Sequence, residues 1–221
     1  MRDYIRSLQD EFIGNANPVI AHGQKAYMKN KFEFHGITAP KRKELQKPFL
    51  LKQNLPARKD LSILVKQLWK LPQREYQMFA QELVCKYNKE LVKEDINLLE
   101  YMITHKSWWD TVDFIAANMV GAYFRLYPDL RKKTIDKWLK SGNLWLQRSA
   151  LLFQLKYKSD LDASLLSHCI KYLLGSKEFF INKAIGWALR QHSKYNPGWV
   201  RNFVKNNPLD NLSKREALRL L

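Results

Sequence analysis

The stretch QLWKLPQREYQMFA, residues 67–80, closes one apolar helix, passes through a proline-containing turn and opens a second, amphipathic helix. The same form recurs 35 positions on in MITHKSWWDTVDFI (102–115), and again in KWLKSGNLWLQRSA (137–150) and YLLGSKEFFINKAI (172–185). A longer pair, EYQMFAQELVCKY (75–87) and WLQRSALLFQLKY (145–157), aligns at twice that offset, both ending in Lys-Tyr. A period near 35 with two helices per unit is the sequence sign of an α-solenoid of HEAT, armadillo or TPR type. A lone unit cannot bury its apolar face, so units stack. The expected fold is therefore all-α, a curved solenoid of HEAT-like repeats with one helix layer lining a concave surface where a ligand would lie.

Working outward from that stretch, Leu61, Leu64, Val65, Leu68 and Trp69 follow the helical template, and alternating polar and β-branched runs are missing. Prolines punctuate: Pro18, Pro40, Pro56, Pro72, Pro128, Pro197 and Pro208 lie at or near the edges of periodic segments, where a first-turn proline costs least, and only Pro48 interrupts a candidate helix. The organisation expected is a single domain over residues 1–221. Its clearest repeats are 58–90, 91–126, 128–158 and 161–195, with less regular helices over 1–55 and 197–221.

The 38 Lys and Arg against 21 Asp and Glu give a formal charge of +17, which points to a polyanion, either nucleic acid or an acidic membrane surface. A hydrophobic fraction of 46% supplies a core and argues against global disorder. The longest mostly apolar stretch, Phe114 to Phe124, is 11 residues and is interrupted by Asn118, far short of the roughly 20 a membrane helix needs. The start of the chain, MRDYIRSLQDEF, has no apolar signal core, so a cytoplasmic protein is expected. Cys85 and Cys169 are read as reduced, buried thiols.

The register gives equivalent places to Met78, Asp113, Arg148 and Lys183, all on second helices. Ser107 as an N-cap would make Asp110 its capping-box partner. Asp113 has no such local task. It lies one turn after Trp109, so indole and carboxylate share a face, and Lys183 and Trp187 repeat that spacing. Adjacent Trp108 and Trp109 point about 100° apart, so one can pack inward while the other faces the ligand surface. Trp69, Trp138 and Trp199 read as core or snorkelled packing. Two readings of Asp113 stand side by side: a site carboxylate, or a salt-bridge partner of Arg148 in the next unit; an Arg beside it also keeps it ionised. Arg148, Lys156, Lys183 and Arg190 cluster on the helices that carry Trp109, Asp113 and Trp187, which favours a phosphate-binding groove over a solvated face.

Other chemistries fail on spacing. His22, His35, His105, His168 and His192 form no His-x-x-x-His, and no Cys-x-x-Cys exists, so no metal site is expected. A glycine-rich phosphate loop and a Gly-x-Ser-x-Gly elbow are also missing, so no nucleotide cofactor is expected either.

The segments AYMKNKFEFHGI (26–37), KSWWDTVD (106–113), WLQRSALLFQLKYK (145–158), SKEFFINKAIGWALR (176–190) and LSKREA (212–217) resemble the DNA alkylation repair glycosylases of the AlkD type, built from HEAT-like repeats. The resemblance runs along nearly the whole chain. It implies a monofunctional enzyme, without cofactor, that excises cationic N3- and N7-alkylated purines from double-stranded DNA and lacks a flipped-base pocket. It implies Trp109, Asp113 and Trp187 as catalytic residues and Arg148 on the DNA backbone. Tyr27, in the basic segment AYMKNK, joins Lys156, Lys183 and Arg190 as expected DNA contacts. The enzyme is expected to act as a monomer. The competing expectation is a non-catalytic HEAT-like module that binds DNA or RNA on the same basic face, with Asp113 purely structural.

Overall fold

The computed structural model describes residues 2–221, and among them every regular element is helical, with a lone bridge between Glu33 and Gln73 in place of any sheet. Contacts divide the chain at Glu90/Leu91 into two compact units.

The first unit holds α1 (Arg2–Gly14), α2 (Pro18–Tyr27), α3 (Ala39–Gln46), α4 (Leu61–Lys70) and α5 (Arg74–Cys85). Asn17 starts α2 by accepting the N–H groups of Val19 and Ile20, with Pro18 in the first turn, where its missing N–H costs nothing. The periodic residues of α4, from Leu61 to Trp69, are all buried, as their 3.6-residue spacing requires. Between α2 and α3 the chain runs through FEFHGI, and Glu75 in the first turn of α5 organises it. That carboxylate is buried and accepts the backbone N–H groups of His35, Gly36 and Ile37 at 3.1 to 3.2 Å. Gly36 has φ 84°, and a Cβ there would lie 2.0 Å from the carbonyl oxygen of Asn17, so only glycine fits the turn.

The second unit is a succession of helix pairs. It contains α6 (Ile96–Thr104), α7 (Trp109–Ile115), a π-helical stretch (Ala116–Val120) that continues into α8 (Gly121–Leu126), then α9 (Pro128–Lys140), α10 (Leu144–Leu152), α11 (Ala163–Tyr172), α12 (Phe179–Ser193), α13 (Pro197–Asn206) and α14 (Asn211–Ala217). Short turns join the members of each pair, and caps fix where the helices begin. Asn143 accepts the N–H groups of Trp145 and Leu146, Asp162 that of Leu165, Asn196 that of Trp199 and Asp210 that of Leu212. The helical repeat read from the 35-residue register is the architecture of this unit. Its second helices lie side by side, α7 against α10, α10 against α12 and α12 against α14.

Three details differ from or refine the sequence expectations. Ser107 is not the N-cap of α7: its Oγ donates to the Ile103 carbonyl at 2.6 Å and closes the end of α6, while Trp108 occupies the cap position. The capping box fails because Lys106 turns into left-handed backbone, φ 48°, and the helix begins one residue later than the box needs. Cys169 is buried, but Cys85, at the last residue of α5, is only half-buried; the two are not joined in a disulfide. Trp69 and Trp138 are core residues, and Trp199 is half-buried with its ring stacked on Phe203 at 4.9 Å.

Candidate active site

Successive second helices of the second unit bring register-equivalent residues together. Asp113 on α7 and Arg148 on α10 form a two-point bridge, with Nε to Oδ1 and Nη2 to Oδ2 both at 2.7 Å. The third guanidinium nitrogen, Nη1, donates to the carbonyl oxygen of Phe180 on α12, so one arginine ties three helices. The Arg148 side chain is 4% exposed and that of Asp113 15%. A two-point fork fixes the carboxylate plane from one side and leaves the other lone pairs of its oxygens toward the remaining opening. Burial pushes the Asp113 carboxyl above the ordinary carboxylate range, and the Arg148 hydrogen bonds and charge pull against that rise.

The opening is a cleft of about 400 Å³ lined by Trp109, Asp113, Arg148, Phe179, Phe180, Lys183, Trp187 and Arg190. A second hollow, of about 420 Å³, shares Asp113 and Trp187 and continues along Phe114, Ala117, Asn118, Leu155, Lys156 and Gln191. Asp113 and Trp187 therefore stand on the wall common to both. Trp108 is not part of the cleft lining and packs behind it, edge-on to Phe180 with centroids 5.2 Å apart and against Trp145 at 5.7 Å. The neighbouring indole of Trp109 lines the cleft, so the two adjacent tryptophans divide the tasks of packing and lining.

Lys183 and Arg190 also line this cleft, one turn before and nearly one turn after Trp187. Their charged ends meet Glu216 on α14, Lys183 Nζ at 2.7 Å from Oε1 and Arg190 Nη1 at 2.5 Å from Oε2. The Lys183 hydrogen bond leads the effects that hold Glu216 below its ordinary pKa. Lys156 is exposed in the second hollow and donates to Asn118 Oδ1 at 2.5 Å. Tyr27 belongs to the first unit, at the last residue of α2, and is 73% exposed.

Seven of the residues singled out from sequence thus sit in the two adjoining hollows: Trp109, Asp113, Arg148, Lys156, Lys183, Trp187 and Arg190. Arg148 is buried, with its nitrogens directed at Asp113 and Phe180. Phe179, Phe180, Asn118 and Glu216 were not anticipated. Glu216 follows Lys183 by 33 positions, and a further 35-residue step from Lys183 falls on Leu218, so the register does not point to it. Asn118 was visible as the one polar interruption of an apolar run, and it sits in the π-helical stretch that follows Asp113, a distortion frequent at functional sites. Among the described residues no group of His, Cys, Asp and Glu is arranged to hold a metal ion, and no helix is long and apolar enough to cross a membrane.

The family model described as DNA alkylation repair enzyme matches residues 8–221. The structure is similar to that of a protein described as a predicted DNA alkylation repair enzyme from Enterococcus faecalis. The two are 33% identical with a TM-score of 0.87, and the match covers 93% of this chain and 96% of that one. Among curated proteins, none matches.

Proposed function

The chain belongs to the DNA alkylation repair enzyme family, and from that premise we propose that it is a monofunctional DNA glycosylase for cationic N3- and N7-alkylated purines in duplex DNA. The observation that carries the reading is a mostly buried carboxylate, Asp113, gripped from one side by Arg148 and facing a cleft flanked by Trp109 and Trp187.

The chemistry asks little beyond that. In an N3- or N7-alkylated purine the base already carries a positive charge. When the C1′–N bond breaks, its electron pair stays on the base nitrogen and neutralises it, so no general acid is needed. The sugar becomes oxocarbenium-like, as in other glycosyl transfers. Ionised Asp113 stabilises that cation and accepts a hydrogen bond from the water that captures C1′; once the C1′–O bond has formed, that water's extra proton passes to solvent. Indole faces of Trp109 and Trp187 add cation–π attraction of about 0.5 to 2 kcal/mol each. Arg148 keeps the carboxylate ionised and oriented; with its three nitrogens engaged by Asp113 and the Phe180 carbonyl, it supports the site from within rather than gripping a phosphate as the sequence resemblance implied. Lys156, Lys183, Arg190 and Tyr27 supply phosphate contacts. An open cleft suits a reaction in which the damaged nucleotide is not swallowed into an enclosed pocket. Among the described residues the lysines of the two hollows are Lys183, whose ammonium is paired with Glu216, and Lys156, whose ammonium donates to Asn118, which argues against imine formation and hence against strand cleavage.

A second reading has its own support. Both Asp113 oxygens are engaged by Arg148, which is also how a purely structural bridge between stacked helices would look. On that reading the protein is a non-catalytic helical-repeat module for DNA or RNA. Incubation of the protein with duplex DNA carrying 7-methylguanine separates the two. Release of free 7-methylguanine with an intact, alkali-labile strand supports the glycosylase. Salt-dependent binding that ignores methylation, with no base released, rejects it.

A further inference from the structure

Glu216 lies at a place the proposed chemistry does not use, yet it governs two of the charges that line the cleft. The residue is 7% exposed, and its carboxylate bridges Lys183 and Arg190. Its position is built rather than incidental. α14 lies so close to α12 that a Cβ at Gly186 would come within 2.5 Å of Glu216 Cβ and 2.9 Å of the Ser213 carbonyl oxygen, so glycine is required at the crossing. Ser213 Oγ donates to the Asn182 carbonyl at 2.8 Å in the same buried seam. The carboxylate is therefore held against the Lys183–Arg190 face of α12 by packing that does not depend on the ion pairs.

The charges then sort into two sets. Asp113 balances Arg148, and Glu216 balances one of the two charges of Lys183 and Arg190, so the five residues carry a single net positive charge instead of two. A cleft that must receive a cationic nucleoside is penalised by each unbalanced cation in its wall, because like charges at close range repel. Resting on the glycosylase reading, we infer that Glu216 is a positioning and specificity-determining residue: it anchors Lys183 and Arg190 at the cleft wall and offsets their charge, so that Asp113 meets a cationic sugar and base without competition from neighbouring ammonium and guanidinium groups. The residue touches neither substrate nor reacting atoms and acts through the two cations.

The test is Glu216→Gln, which keeps shape and hydrogen-bonding capacity while removing the charge. Affinity for undamaged duplex as a function of salt and single-turnover release of 7-methylguanine at saturating enzyme are both measured. The expected result is DNA binding as tight as wild type or tighter, a steeper salt dependence, and release slowed about tenfold. In the double variant Glu216→Gln/Lys183→Met the net charge returns to its original value, and most of the lost rate returns with it. Thermal unfolding of both variants is recorded alongside, so that a loss of stability is read separately from the rate. Weaker DNA binding with a shallower salt dependence, or a rate that the double variant does not restore, overturns the inference. Should wild type release no base, the glycosylase reading fails by itself, and the binding and salt arms still decide whether Glu216 offsets charge at this face.

Discussion

Glu75 and Asp113 are both carboxylates largely withdrawn from water, and their surroundings differ in kind. Glu75, in the first unit, is 1% exposed and is surrounded by donors: three consecutive backbone N–H groups of the FEFHGI segment point at it. Asp113, in the second unit, has donors on one side only, the fork of Arg148, and a cleft on the other. A carboxylate satisfied by main-chain amides holds a loop in place and has nothing left to offer. One held by a single side-chain fork is fixed in direction, kept ionised, and still open to a cation that arrives from the cleft. The partner set, more than burial, separates a structural acid from a candidate catalytic one.

The comparison breaks if removing Glu75 is harmless. Glu75→Ala leaves three buried amides without their acceptor, and the expected loss is about 4 kcal/mol of unfolding free energy in urea denaturation. Arg148→Met tests the other region from its structural side. It leaves Asp113 buried without its cation, costs about 3 kcal/mol, and lifts the Asp113 carboxyl further, seen as an acid limb of the release rate displaced to higher pH. Trp187→Ala removes one aromatic wall and is expected to slow base release about tenfold, with Trp109→Ala similar, at little change in DNA affinity. The gentlest probe is pH itself. If Asp113 acts as the anion, as proposed, the rate falls as pH drops through its protonation, and because burial raises that pKa the midpoint lies above the ordinary value of about 3.9. A midpoint below that value would mean that Arg148 dominates the site more completely than burial does.

The period was legible because every repeat buries the same face, and burial is what imposes a pattern on sequence. For the same reason Asp113, Arg148 and Lys183 could be set in one column before any coordinates were known, and two of them bond directly. Trp109 was separable from Trp108 by helical geometry alone. Contacts that do not repeat were invisible. Glu75 captures amides some 40 residues away in a non-helical segment, and nothing periodic announces it. Arg148 meets a backbone carbonyl, that of Phe180, which carries no side-chain signature. Ser107 took the opposite role from its sequence expectation because one left-handed residue, Lys106, moved the helix start. Glu216 lies at the less regular end of the array and off the 35-residue column, which falls on Leu218, so the period does not announce it.

The central claim is that Asp113 provides an anion to the reaction rather than to the fold. Single-turnover release of 7-methylguanine by Asp113→Asn, with thermal unfolding recorded alongside, puts it to the test most directly, since asparagine keeps the size and the hydrogen-bond acceptor but not the charge. The account predicts a rate at least about 100-fold below wild type in a protein that still unfolds cooperatively and still binds DNA. A folded Asp113→Asn protein that releases the base at the wild-type rate would contradict it.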